Sequence, residues 1–168
     1  MGMQLDSIEP VSKELVLAID PGVTTGFALF QFPHLRGHAQ FRSTLVPSAA
    51  RRVRLVIDKY QPQHIVVEEY VIYPWMVRQQ SWSSLHTVRL IGAIELIAAD
   101  LKLPLTKQQA LKAKNIKDKS LKQWNLYKPG KPHANDAIRH AVAYTLFGPS
   151  RIKRPARRKR RNNARPSR

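Results

Sequence analysis

The stretch Leu15-Val16-Leu17-Ala18-Ile19, closed by Asp20-Pro21-Gly22, governs the fold. Five apolar residues in a row ended by a Pro-Gly turn describe a strand buried on both faces, as in the middle of a sheet. After Val23-Thr24-Thr25-Gly26, residues 27–32 and 38–45 are short runs rich in aromatic or β-branched residues, separated by a turn at 33–37, and they read as a meander with the first strand. Pro47 and Ser48 open a helix in which Ala50, Val53, Ile57 and Tyr60 recur at helical spacing, with Arg51, Arg52, Arg54 and Lys59 on the other faces. His64-Ile65-Val66-Val67-Glu68-Glu69-Tyr70 is a second buried-type strand, and it ends in acids.

Residues 71–83 form an aromatic-rich loop, and residues 84–101 a long helix with Leu85, Val88, Ile91 or Gly92, Glu95 and Ala99 on one side. Residues 104–108 are a short strand, and residues 110–124 a Lys-rich helical or irregular stretch. Pro132 starts a last helix whose apolar stripe is Ala134, Ala137, Ile138, Ala141, Val142 and Thr145, stopped by Gly148-Pro149. A strand, helix, strand unit after a meander implies parallel pairing. The expected fold is α/β: a mixed five-stranded sheet, three meandering strands plus two parallel ones, flanked by helices. Residues 1–13 read as a flexible arm, 14–148 as the domain, and 149–168 as a disordered basic tail.

With 168 residues, 43% of them hydrophobic, the chain can bury one core. It has no cysteine, which excludes disulfides, thiolate zinc sites and a Cys nucleophile and suits a reducing cytoplasm. No apolar run approaches the roughly 20 residues that span a bilayer, and no signal-peptide pattern opens the chain. The expectation is a soluble, cytoplasmic protein with no membrane partner. The net charge of +18 calls for a polyanion. Ten Lys and Arg lie in residues 151–168, which hold no acid, so the rest still carries +8 and itself suits phosphate.

Asp20 and Glu68 each end a buried strand. If those strands are parallel neighbours, both acids emerge at the sheet edge where open α/β sheets bind ligands. Asp136 lies in the first turn of the last helix, and His133, three residues earlier, shares its face. Converging there, these groups would suit hard divalent cations. Each also has a plainer explanation: Asp20 as a turn former, Asp136 as a helix-dipole complement or partner of His140, and His133 as a polar residue near a helix start.

Together these segments resemble the RuvC-type Holliday-junction resolvases of the RNase H-like nuclease superfamily, in a compact phage or bacterial version. Residues Ala18-Ile19-Asp20-Pro21-Gly22-Val23-Thr24-Thr25-Gly26 are similar to the family's opening motif, Val66-Val67-Glu68 to its second, and Pro132-His133-Ala134-Asn135-Asp136-Ala137 to its last. The resemblance implies metal ligation and catalysis by Asp20, Glu68, His133 and Asp136. It implies two Mg²⁺ per site, with one activating a water and the other stabilising the departing 3′ oxygen, so that cuts leave 5′-phosphate and 3′-hydroxyl ends. It further implies four-way or otherwise branched DNA as substrate and a homodimer, for which the helix at 84–101 is the candidate interface, in a bacterial or phage-infected cell. His133 stands where many relatives have aspartate, so Mn²⁺ is expected to substitute well. Alternation along the strand favours Glu68 over Glu69.

For DNA contact, the aromatic group Tyr70, Tyr73, Trp75 and Trp82 can stack on unpaired bases or instead belong to a core or interface. Lys107, Lys112, Lys114 and Lys117, with Arg157, Arg158, Lys159, Arg160 and Arg161 of the tail, can meet phosphate or simply be solvated. Two rivals share much of this pattern: an RNase H-like nuclease acting on RNA–DNA hybrids or flaps, and a non-catalytic basic DNA-binding or packaging protein.

Overall fold

The computed structural model describes residues 4–71 and 82–148, without the side chains of residues 82–84. Tyr73, Trp75, the side chain of Trp82 and the tail residues Arg157, Arg158, Lys159, Arg160 and Arg161 lie outside the described residues.

The strands are β1 (Val16–Asp20), β2 (Thr24–Gln31), β3 (His34–Arg42), β4 (His64–Glu69) and β5 (Leu105–Gln109). The helices are α1 (Val46–Tyr60), α2 (Trp82–Asp100), α3 (Ala110–Lys114), α4 (Asp118–Gln123) and α5 (Pro132–Phe147). The sheet order is β3-β2-β1-β4-β5, so the apolar run that governs the fold is its central strand. β1, β2 and β3 form the antiparallel meander, while β1, β4 and β5 are mutually parallel. The expected mixed five-stranded sheet is the one observed.

Because alternate side chains of a strand face opposite ways, the sheet has two cores. Val16, Ala18, Ala28, Phe30 and Val66 face α5, where Ala137, Ile138, Ala141 and Val142 cover them. Leu17, Ile19, Leu29, Ile65 and Val67 face Ala49, Val53 and Ile57 of α1 and Leu90, Ile91, Ile94 and Ala98 of α2. This parity also sorts the polar residues that end the strands. Asp20 continues the phase of Val16 and Ala18, and Glu68 that of Val66, so both belong to the α5 side.

Two details depart from expectation, and a third sharpens it. The buried side of α2 is not the stripe through Leu85, Val88 and Ala99: Leu85 and Val88 are 45% and 40% exposed, whereas Leu90 and Ile94 are fully buried. This helix is apolar on most of its circumference, so spacing alone cannot select the inward side. Residues 4–13 are not a free arm: a 3-10 turn at Leu5–Ser7 buries Leu5 in the α5 core, and the Val11 and Ser12 amides donate to the Thr145 carbonyl. The Lys-rich stretch resolves into the short helices α3 and α4, with Leu121 buried between turns of exposed lysines.

Candidate active site

Strand register lines up one row of residues on the α5 side. Asp20 pairs with Gly26, Glu68 pairs with Gln108, and Ile19 beside Val67 brings the two halves together. The row Gly26, Asp20, Glu68, Gln108 therefore spans four neighbouring strands at the carboxyl ends of β1, β4 and β5. α5 lies across it. From His133 to His140 the helix rises about 10.5 Å, close to the ~9.6 Å of two strand spacings between β2 and β4. Gly26 makes that approach possible, since a Cβ there would sit 2.0 Å from the His133 carbonyl oxygen. Only glycine lets the first turn of α5 rest directly on β2.

The geometry follows from this crossing. His133 Nδ1 lies 2.9 Å from Asp20 Oδ2. Asp20, His133 and Asp136 each offer a ligand atom, and these atoms all lie within 4.8 Å of one another. That is within a small side-chain rotation of the ~4.2 Å that spans an octahedral Mg²⁺. Glu68 lines the same cleft, of about 190 Å³, but its Oε2 is held 2.8 Å from His140 Nε2. Asp136 is 2.5 Å from Arg139 Nη1, and the same guanidinium also binds Asp118 and the Ile116 carbonyl. Burial pushes the Asp20 carboxyl up from 3.8 to about 6; the hydrogen bond from His133 opposes the rise, and the charges of Glu68 and Asp136 add to it. Such a carboxylate is short of positive charge. Two carboxylates, an imidazole and a third acid at the rim are oxygen-rich donors that fit a hard divalent cation, with the imidazole admitting a softer one.

The structure thus brings together Asp20, His133 and Asp136 and places Glu68 beside them on a separate partner. Glu69 belongs to the opposite phase, where its charge acts on Lys107. Lys107 pairs with Glu95 of α2 at 2.9 Å, on the other side of the sheet from the acids. Lys114 does line the cleft, whereas Lys112 and Lys117 do not. Tyr70 lines an adjoining cavity of about 400 Å³ that also borders Asp20, His133 and Thr24. His140, considered above as a partner of Asp136, pairs with Glu68 instead, because Arg139 occupies Asp136.

His140, Asn135, Lys128 and Lys131 carry no site role in the expectations from sequence. His133, Asp136 and His140 recur at i, i+3 and i+7, a one-sided polar spacing that was available as a signal. Asn135 is 3% exposed and pins the loop before α5, accepting from the Lys128 amide and donating to its carbonyl, both at 2.8 Å. That loop carries Lys128 and Lys131, whose charges act with burial to lower the pKa of His38 on β3. Lys114 thus lines the cleft with the acids, and the Lys128–Lys131 loop, which leads into α5, lies near β3.

No protein-family model matches the sequence, and no curated protein does. Solved structures do. RuvC of Thermus thermophilus in complex with a Holliday-junction substrate matches at TM-score 0.64 and 19% identity, covering 78% of this chain and 92% of that one. A second T. thermophilus RuvC structure gives TM-score 0.61 and 18% identity over 77% and 92%. The fowlpox virus resolvase with Holliday-junction DNA gives 0.50 and 13% over 78% and 98%. Likeness at such identities is one of fold: the chain shares the fold of these resolvases.

Proposed function

We propose that the protein is a divalent-metal-dependent endodeoxyribonuclease that resolves four-way or branched DNA junctions. The observation that carries this reading is the convergence of Asp20, His133 and Asp136, with Glu68 in the same cleft, at the carboxyl ends of the parallel strands. The fold supports it, being shared with resolvases solved on Holliday-junction DNA. A polycation that merely coats DNA gives no reason to gather four such groups at one sheet edge.

Bound Mg²⁺ or Mn²⁺ would supply an activated water and charge neutralisation at the leaving oxygen, giving 5′-phosphate and 3′-hydroxyl ends. The chain's own part is to hold the ligands and the strand. Asp20, central in the row, faces candidate ligands from both α5 and β4 and would hold the metal together with them. His133 keeps Asp20 oriented through its Nδ1 contact and lowers the site's negative charge relative to an all-carboxylate set. Lys114, with Lys128 and Lys131, would take phosphates of the strand being cut. Tyr70 stands where an aromatic ring can meet an unpaired base near the scissile bond.

Two symmetric cuts on a four-way branch require two sites related by a dyad, so we take the working unit to be a homodimer. The exposed side of α2, with Leu85, Val88 and Leu96 around Gly92, is the apolar surface that suits the second copy. The test is a panel of four-way junction, flap, plain duplex and RNA–DNA hybrid, each titrated with Mg²⁺ and Mn²⁺. Paired symmetric nicks on the junction are expected. Preference for the hybrid or the flap would reassign the substrate, and intact DNA at every metal concentration would reject the nuclease reading.

A further inference from the structure

One side-chain chain reaches into the site from β5, at the edge of the sheet. Gln108 of β5 is fully buried and His140 of α5 is 1% exposed. His140 Nδ1 lies 2.7 Å from the Gln108 amide oxygen, and its Nε2 lies 2.8 Å from Glu68 Oε2. Gln108 Nε2 meanwhile is buried with no partner.

The two ends of an amide have the same shape, and its hydrogen-bond network decides between them. With Nε2 turned toward the ring, Gln108 donates one N–H to Nδ1, and its amide nitrogen is no longer without a partner. The imidazole then carries its proton on Nε2 and donates it to Glu68. The atom left without a partner becomes a carbonyl oxygen, which interiors tolerate better than an orphan N–H. A complete donor path results: amide to imidazole to carboxylate.

We infer that His140 and Gln108 are positioning residues that orient Glu68 as the fourth metal ligand, a role that rests on the metal-dependent reading above. Oε2 is tied to His140, and Oε1 has no protein partner among the described residues, in a carboxylate that lines the same cleft as Asp20, His133 and Asp136. Glu68 is the one proposed ligand outside the close cluster of three. Its side chain is 29% exposed and, untied, free to turn toward solvent. The helical spacing of His133, Asp136 and His140 means that one face of α5 would supply two ligands and aim a third. An apolar pair at positions 108 and 140 would fill this core at lower desolvation cost, so packing alone does not account for the polar chain.

The experiment compares wild type, His140→Leu, His140→Gln and Gln108→Leu in the full chain. Mn²⁺ binding to the metal-free protein is measured by calorimetry, four-way-junction cleavage is resolved into kcat and KM, and melting is followed as a check on folding. Loss of the donor is expected to weaken the poorer Mn²⁺ site by roughly 10- to 100-fold and to lower kcat while leaving the KM for DNA near wild type. His140→Gln, whose amide nitrogen can approach the Nε2 position, should recover most of both. Gln108→Leu should fall between, and it carries the comparison with wild type should His140→Leu fail to fold.

Unchanged Mn²⁺ binding and kcat in folded His140→Leu or Gln108→Leu would overturn the assignment, as would a His140→Gln no better than His140→Leu. A wild type that binds no Mn²⁺ and cuts nothing would instead overturn the nuclease reading, and this inference with it. A competent wild type with indifferent variants removes only the positioning role.

Discussion

The two ends of β4 carry similar groups in opposite states. At the amino end, His64 stacks on Tyr144 with ring centroids 4.6 Å apart, meets Thr106 Oγ1 at 2.9 Å and the Tyr144 hydroxyl at 3.2 Å, and has Glu14 at 3.8 Å. Each polar atom there has a partner, and burial lowers the His64 pKa, favouring the neutral ring. At the carboxyl end, where Glu68 stands, Asp20 of the neighbouring β1 is buried near Glu68 and Asp136, and its carboxyl is pushed up to about 6 in spite of His133. A satisfied polar plug closes one edge of the sheet, and an acid cluster in want of a cation opens the other. The same strand supports both, so what separates structural from chemical polarity is whether the neighbours neutralise it.

Asp20→Asn should produce the largest effect. Junction cutting is expected to vanish while binding without metal persists, as read by gel shift beside a cleavage assay. The stability change has the opposite sign. A carboxyl whose folded pKa is raised contributes stability that is fully present below 3.8 and lost as pH rises through about 6. At pH 7 the ionised Asp20 therefore costs the metal-free protein up to about 3 kcal/mol. Asp20→Asn should melt several degrees higher than wild type at pH 7 without metal, at roughly 2–4 °C per kcal/mol, less what the altered pairing with His133 removes. A lower melting point would show that Asp20 is already neutralised. Next comes Gly26→Ala. Its Cβ would meet backbone rather than a flexible side chain, so α5 must shift, at a cost of about 1–3 kcal/mol and with displacement of both His133 and Asp136 from the cluster. Retained Mn²⁺ binding in that variant would mean that the crossing of α5 over β2 does not build the site.

Much of this contrast is legible in the sequence, and the failures have physical causes. The run from Leu15 to Asp20 shows the central strand because few environments accept five apolar residues in succession. Period-two alternation then ranks Glu68 over Glu69, as the two cores require. The stripe on α5 is readable because polar residues interrupt it regularly, whereas α2 offers apolar residues on most sides and hides its buried face. The side of the sheet that Lys107 takes is not legible in the sequence, because it depends on strand phase, which becomes clear only when Gln108 is known to point at the acids. The Glu68–His140–Gln108 chain joins residues 72 and 32 positions apart in sequence, and no local pattern reports such pairings. Leu5 escapes for the same reason, its partners lying in α5.

A smaller effect belongs to the cations beside the acid end. Lys128→Ala and Lys131→Ala should weaken junction binding and each lower the salt-dependence slope by about 0.9 for every phosphate that is no longer neutralised. Lys107→Ala, on the Glu95 side of the sheet, should leave that slope unchanged. Binding isotherms between low and moderate salt measure it. Equal slopes for all three variants and wild type would place the DNA elsewhere, for instance on the basic tail.

The smallest effect is expected at the plugged end, and it completes the contrast. His64 has a lowered pKa, so its contribution to stability is present above 6.5 and is lost as pH falls toward its folded value, the reverse of Asp20. Between pH 6 and 4 the two ends should therefore work against each other in the metal-free protein. His64→Phe keeps the stack on Tyr144 but leaves the Thr106 and Tyr144 hydroxyls short of a partner, a cost of about 1 kcal/mol for each hydrogen bond removed. It should cut junctions like wild type and lose less of its stability on acidification. Denaturant melts of His64→Phe and Asp20→Asn over that range separate the two linkages. If His64→Phe instead impairs cutting while remaining folded, the two edges of the sheet are coupled through α5, whose residues Tyr144 and His140 touch β4 at opposite ends.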